Sequence, residues 1–203
     1  LITAVGVNRI ITMDLHSPQI QGFANVPFDH LYSRIVLLNL LKNFGYNEDS
    51  GVVLAPDVGS AKMSQSYAKK LNVGFALIDK RRPKPNMAEV ANLVGDLNGK
   101  NVLIIDDMID TAGTICNAAQ TAIEQGATTV TAVATHPVLS GKSIEKLINS
   151  PINQVFVCDT IKLTEKQKFD KLKIISVADV FGESIKRIVS GTSLSSMFRG
   201  LTD

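Results

Sequence analysis

The strongest chemical signal in the sequence is a pair of adjacent carboxylates followed by a run of small, hydroxylated residues. The segment VLIIDDMIDTAGT, residues 102–114, starts with four apolar residues that read as a buried strand. Asp106 and Asp107 stand at its end, and Asp110, Thr111, Ala112, Gly113 and Thr114 open a helix. The small residues let the backbone curl tightly. The N–H groups of such a turn, with the Thr hydroxyls and the helix N-terminus, make an anion cup. Asp106 and Asp107 are too short, and too strongly repelled by phosphate, to bind it themselves. They suit a neutral polyol or a divalent cation. A sugar phosphate meets both demands, with phosphate in the cup and ring hydroxyls on Asp106 and Asp107. The competing reading is structural: acidic residues capping a helix after a strand.

Three other segments place reactive residue types at strand ends. His16 follows a strand end, with Asp14 two residues earlier. An imidazole there can ligate a metal or bond a phosphate, or it can be a satisfied structural histidine. APDVGSAK, residues 55–62, again sets an acid, Asp57, and a glycine turn, Gly59, between a strand and a helix. KRRPKPN, residues 80–86, reads as an exposed basic loop because two prolines interrupt it. It is either a solvated charged loop or a mobile cationic flap of the kind that stabilises charge during phosphoryl transfer. His136, in THPVLSG at 135–141, reads as structural. No G-x-x-x-x-G-K-[ST] occurs, so any use of ATP proceeds without a P-loop.

The elements that must hold these residues alternate regularly. Strands are expected at 9–15, 51–55, 74–78, 129–135, 154–159 and 173–176. Helices are expected at 29–44, 61–71, 113–125, 140–149 and 178–189. The helix at 29–44 rests on Leu31, Ile35, Leu38 and Leu41 at helical spacing, and that at 61–71 on Met63, Tyr67 and Leu71. Asn98-Gly99 reads as a tight hairpin turn between 89–96 and 101–106. Such alternation predicts an α/β fold with a mostly parallel sheet flanked by helices. Ligands of such sheets sit beyond the C-terminal ends of the strands.

Composition narrows the class. Twenty-one basic against 19 acidic residues leave a net charge of +2, and Trp is absent. That balance gives no electrostatic case for nucleic acid. The longest apolar stretch, 35–41, is short and broken by Asn39, so no membrane-spanning segment is expected. Nor does the start of the chain read as a signal peptide. Cys116 and Cys158 lie outside any CxxC pattern and fit two free thiols in a reducing, cytoplasmic setting.

Residues 102–114 resemble the phosphoribosyl diphosphate-binding motif of the type I phosphoribosyltransferase fold. A second segment, DLHSPQIQGFANVPFD at 14–29, resembles the signature of the ribose-phosphate diphosphokinases, departing at Ala24, where a second aromatic is usual. APDVGSAK resembles that family's diphosphate-binding loop, with departures at Ser60 and Met63. THPVLSG and the C-terminal SLSSMF, 193–198, are similar as well.

The resemblance implies a type I phosphoribosyltransferase-like catalytic domain over 1–203, the C-terminal part of a longer subunit whose preceding related domain is absent here. It implies that Mg-ATP and ribose 5-phosphate react to give phosphoribosyl diphosphate and AMP, with Mg2+ as cofactor. Asp106, Asp107, Asp110, Thr111, Ala112, Gly113 and Thr114 would bind ribose 5-phosphate. His16, Asp57 and Gly59 would serve ATP and diphosphate, with His16 and Asp57 near the metal. Lys80 and Arg82 would be the catalytic basic pair. A homo-oligomer built from dimers, with a hexamer as one form, is also implied. Two rivals stay open. One is a type I phosphoribosyltransferase, which would consume the diphosphate. The other is a non-catalytic, synthetase-associated regulatory subunit.

Overall fold

The computed structural model describes residues 1–44, 46–81 and 90–199. The chain divides into two compact units, Leu1–Val36 with Val177–Asp203, and Leu37–Ser176.

The first unit opens with β1 (Ile10–Met13), paired in parallel with β2 (Phe28–Leu31). Residues 28–31 are therefore strand, not helix, and α1 (Arg34–Asn43) starts later than expected. Leu31 is buried at the end of β2, four residues before Ile35, so it imitates a helical spacing from within a strand. The buried residues of α1 are Leu37, Leu38 and Leu41.

The larger unit is built on one seven-stranded sheet. Along the chain come β3 (Gly51–Ala55), α2 (Ala61–Leu71), β4 (Gly74–Arg81), β5 (Val90–Val94) and β6 (Asn101–Ile109). Then follow α3 (Gly113–Glu124), β7 (Thr129–Pro137), α4 (Ser143–Asn149), β8 (Gln154–Cys158) and β9 (Leu172–Ile175). The spatial order is β5-β4-β3-β6-β7-β8-β9, parallel throughout except β4 with β5. Every residue of β3 is buried, as are residues 102–105 of β6 and 130–135 of β7. Continuous burial is what a parallel strand covered on both faces requires, and it explains why these runs are apolar without alternation. The expected α/β fold with a mostly parallel, helix-flanked sheet is what forms.

The sheet corrects three expectations. Asn98-Gly99 does not join a hairpin of β5 with β6. β5 pairs antiparallel with β4, and β6 enters the centre of the sheet beside β3. Asn98-Gly99 is still a turn, with Gly99 at φ +69° and Lys100 N–H donating to the Leu97 carbonyl, but it leads from an edge strand to a central one. Lys80 and Arg81 are not loop: their backbones finish β4, opposite Ala91 and Val90. The prolines at 83 and 85 come too late to stop the ladder there. Lastly, the buried face of α2 runs through Ser64, Tyr67, Ala68 and Leu71, leaving Met63 only half-buried. Cys158 is a fully buried core residue, and Cys116 is partly buried against the same core.

The chain returns to the first unit with α5 (Ala178–Val189) and a short turn at Ser195–Phe198. Phe198 packs edge-on against Tyr32, with ring centroids 5.8 Å apart.

Candidate active site

Register alone gathers the acids of the larger unit. Leu54 of β3 lies opposite Ile104 of β6. Two residues further on, Asp106 comes level with Pro56, one residue from Asp57. The two carboxylates repel each other across that edge. Asp106 is pushed up to about 7: burial contributes most, then a hydrogen bond with the Asp107 carboxyl and the charges of Asp107 and Asp57. The Asp107 N–H, donating to Asp106 Oδ1 at 2.9 Å, works the other way. Near neutral pH Asp106 is thus partly protonated, which equips it to donate to a polyol oxygen as well as to accept from a hydroxyl.

Beyond β6 the backbone forms the anion cup in an unusual way. Leu139 N–H donates to the Ile109 carbonyl at 2.9 Å, and Ser140 N–H to the Asp110 carbonyl at 3.1 Å. Lys146 Nζ donates to the Thr111 carbonyl at 3.1 Å. No peptide among the described residues is cis, and in a trans peptide the C=O and the next N–H point opposite ways. Three carbonyls turned toward 139–146 therefore leave the N–H groups of Asp110, Thr111 and Ala112 turned away. None of the N–H groups of Asp110, Thr111, Ala112, Gly113 and Thr114 has an acceptor among the described residues. Successive N–H groups so exposed, at the start of a twelve-residue helix, form an anion nest. Ala112 sits at φ +60°, a left-handed conformation that costs a non-glycine residue about 1 kcal/mol. Asp110, Thr111 and Thr114 are exposed, so an anion can reach them.

The turn from β3 to α2 is differently made. Asp57 Oδ1 accepts the Ser60 N–H at 2.9 Å, and Ser60 Oγ donates to the Asp57 carbonyl at 3.0 Å. Gly59 has a steric reason: a Cβ there would lie 3.3 Å from Asp57 Oδ1 and crowd the carboxylate. β4 runs parallel to β3, so the backbone of Lys80 ends at the same edge of the sheet as Asp57 and Asp106. Arg82 lies outside the described residues.

His16 belongs to the smaller unit, where it is exposed just after β1. Asp14 adopts φ +40° and accepts the Ser33 N–H on Oδ2 at 3.0 Å. Leu15 N–H donates to His30 Nε2 at 2.9 Å. That bond requires a bare Nε2, and burial holds the His30 pKa down, against the charge of Asp14. No motif or spacing marks His30 as the residue that fixes the turn carrying His16. His136, at the end of β7, bonds Thr160 Oγ1 through Nδ1 at 2.9 Å, and Thr160 Oγ1 donates to the Thr135 carbonyl. This network agrees with a structural role.

Asp57, Asp106 and Asp107 are hard oxygen donors of the kind magnesium takes. Among the described residues no group of three or more His, Cys, Asp or Glu forms a ready cage. Magnesium is commonly held by one or two carboxylates together with substrate phosphates, and the mutually repelling acids here fit that pattern.

Residues 80–199 match the family described as Phosphoribosyl synthetase-associated domain. The chain is 49% identical to a ribose-phosphate pyrophosphokinase of Chlorobaculum tepidum, across 98% of this chain and 61% of that protein. It is 50% identical to one of Caldanaerobacter subterraneus subsp. tengcongensis, across 98% and 62%. The chain thus spans about three-fifths of the length of these relatives. The crystal structure of phosphoribosylpyrophosphate synthetase from Mycobacterium smegmatis superposes with a TM-score of 0.85 at 34% identity, covering 93% of this chain and 61% of that one. By sequence and by fold, the chain belongs to the phosphoribosyl synthetase-associated domain family.

Proposed function

We propose that this chain carries the ribose-phosphate site of a ribose-phosphate diphosphokinase. The observation that carries the reading is the run of five N–H groups, Asp110 to Thr114, with no acceptor among the described residues, starting three residues beyond the Asp106–Asp107 pair. The nest takes the 5-phosphate, and Asp106 and Asp107 take ribose hydroxyls. Ribose 5-phosphate is so oriented that its anomeric hydroxyl attacks the β-phosphorus of ATP. The diphosphoryl group moves as a unit and AMP leaves. Asp57, with Gly59 leaving room for its carboxylate, serves the diphosphate side, and His16 contacts ATP. Asp57 and His16, each on its own unit, would serve Mg2+, which would neutralise phosphate charge when bound. Lys80 and Arg82 stabilise charge on the transferring group. No covalent enzyme intermediate is needed, so positioning and electrostatics carry the rate. The acids of β6, the nest and the named relatives all support this reading.

The protein is further proposed to act in the cytoplasm as a dimer-based homo-oligomer, a hexamer being one form. Family resemblance supports this, and light scattering on the native protein measures it. No helix among the described residues is long and apolar enough to cross a membrane.

The direct test incubates the full-length protein with Mg-ATP and ribose 5-phosphate and follows AMP. AMP release that depends on ribose 5-phosphate is expected. Base-dependent release of diphosphate, or no AMP at all, contradicts the reading.

A further inference from the structure

Lys146 lies on α4, 35 residues from the loop whose carbonyl it holds. Its ammonium bonds the Thr111 oxygen at 3.1 Å, and a Cβ placed on Gly113 would come within 4.0 Å of the same nitrogen. Its charge is also felt at Cys116, in the first turn of α3. No part of the motif around Asp106 contains this residue, and its neighbours in sequence do not mark it.

The peptide it touches is the one most in need of holding. Ala112 follows Thr111 in a left-handed conformation that an alanine does not choose unaided. Rotation of the 111–112 peptide would relieve that strain. It would also turn the Thr111 carbonyl into the nest and the Ala112 N–H out of it. An oxygen dipole would then face an incoming anion where a donor had been. The Leu139 and Ser140 N–H groups hold the two preceding carbonyls, but neither reaches this one.

We propose that Lys146 is a positioning residue for ribose 5-phosphate: by holding the Thr111 carbonyl outward it keeps the Ala112 N–H aimed at the 5-phosphate. The inference rests on the reading of the 110–114 loop as the 5-phosphate site. The bond is charge-assisted, and such bonds carry on the order of tenfold to hundredfold in an equilibrium. Arginine can reach the same carbonyl with a cationic donor, whereas methionine keeps the stem and loses the donor.

Steady-state kinetics of the full-length protein with Lys146→Met and Lys146→Arg tests this. Lys146→Met is expected to raise the KM for ribose 5-phosphate about tenfold, with the KM for ATP and kcat changed less than about twofold and Tm within about 2 °C. Lys146→Arg is expected to restore the ribose 5-phosphate KM to within about threefold. A ribose 5-phosphate KM unchanged in Lys146→Met, in a native protein that saturates with that substrate, overturns this inference alone. So does a parallel rise of both KM values with a lowered Tm, which marks a merely structural lysine. A native protein indifferent to ribose 5-phosphate overturns the underlying reading, and this inference with it.

Discussion

The two strand-to-helix turns of the larger unit start from the same plan and diverge in how they use their donors. Both follow a buried parallel strand, both begin with an acid, and both contain a glycine. In the turn after β3, Asp57 and Ser60 satisfy each other, side chain to backbone in both directions. In the turn after β6, the backbone carbonyls are held from outside by Leu139, Ser140 and Lys146, and the N–H groups stay open. The first turn displays a carboxylate on a self-bonded loop. The second displays bare donors on a loop braced by another element. Opposite charges should therefore be drawn to them: a cation to the first, an anion to the second.

The glycines offer the sharpest way to break this contrast. A Cβ at Gly113 would meet the protein only at 3.9 and 4.0 Å, in ordinary contact. Nothing in the fold forbids a side chain there, and under the proposed function its absence leaves room for the 5-phosphate. Gly113→Ala is expected to leave Tm unchanged or raise it by about 1–3 °C, since alanine is the better helix former by about 1 kcal/mol. It should weaken ribose 5-phosphate binding about 30-fold by calorimetry, because the methyl group occupies the phosphate approach. Unchanged affinity would mean that the open donors are not the phosphate site.

The acid pair gives the next largest effect. Folding raises Asp106 from its ordinary value to about 7, so the folded state holds that proton more tightly than the unfolded state. Its contribution to stability is full below about pH 4 and fades as pH rises through about 7. The unliganded protein should therefore lose Tm between pH 5 and pH 8 more steeply than Asp106→Asn, which keeps the shape without the charge. At pH 8 the variant should be the more stable by roughly 2 kcal/mol, or about 5 °C. Parallel pH profiles would show that burial and its acidic neighbours do not push Asp106 up as described.

Two smaller effects address the self-bonded turn. Gly59→Ala forces the Asp57 carboxylate to shift by a few tenths of an ångström, because the added carbon would lie 3.3 Å from Oδ1. About a fivefold loss of ribose 5-phosphate-dependent turnover is expected from such a misplacement. Ser60→Ala removes a hydroxyl that braces a buried corner, and should cost about 1 kcal/mol, a fall in Tm of about 2–4 °C. A larger loss of Tm from Gly59→Ala than from Ser60→Ala would reverse the roles assigned to these residues.

Much of this contrast was legible in the sequence, and the illegible part has a common cause. Apolar runs followed by acids marked β3 and β6, because a strand buried on both faces needs no alternation, although β6 continues through Asp106 and Asp107 to Ile109. The small residues after Asp110 announced a tight turn. Neither pattern could show what holds that turn, since Leu139, Ser140 and Lys146 approach from another strand and helix. THPVLSG stood out as a motif, yet it braces the loop mainly through the Leu139 and Ser140 N–H groups, which leave no mark in side-chain identity, with only the Ser140 hydroxyl, bonded to the Asp110 carboxylate, adding a side chain. The same limit produced the errors in pairing. β5 joins β4 rather than β6, and Leu31 ends a strand rather than lining a helix, because partner choice is a tertiary matter. His30 escaped notice for the same reason: it fixes the turn of His16 from fourteen residues away, by accepting a backbone N–H that only the β1–β2 pairing brings to it.

Hydrogen exchange followed by mass spectrometry on the full-length protein reaches the central claim most directly. Unpaired amides exchange fast, and an anion that accepts them slows exchange. The amides of 110–114 are predicted to exchange rapidly in the free protein and to be protected by ribose 5-phosphate. Unphosphorylated ribose should not protect them, and ribose 5-phosphate should leave 57–60 unchanged. Protection confined to 57–60, or none at 110–114 under saturating ribose 5-phosphate, would contradict the account.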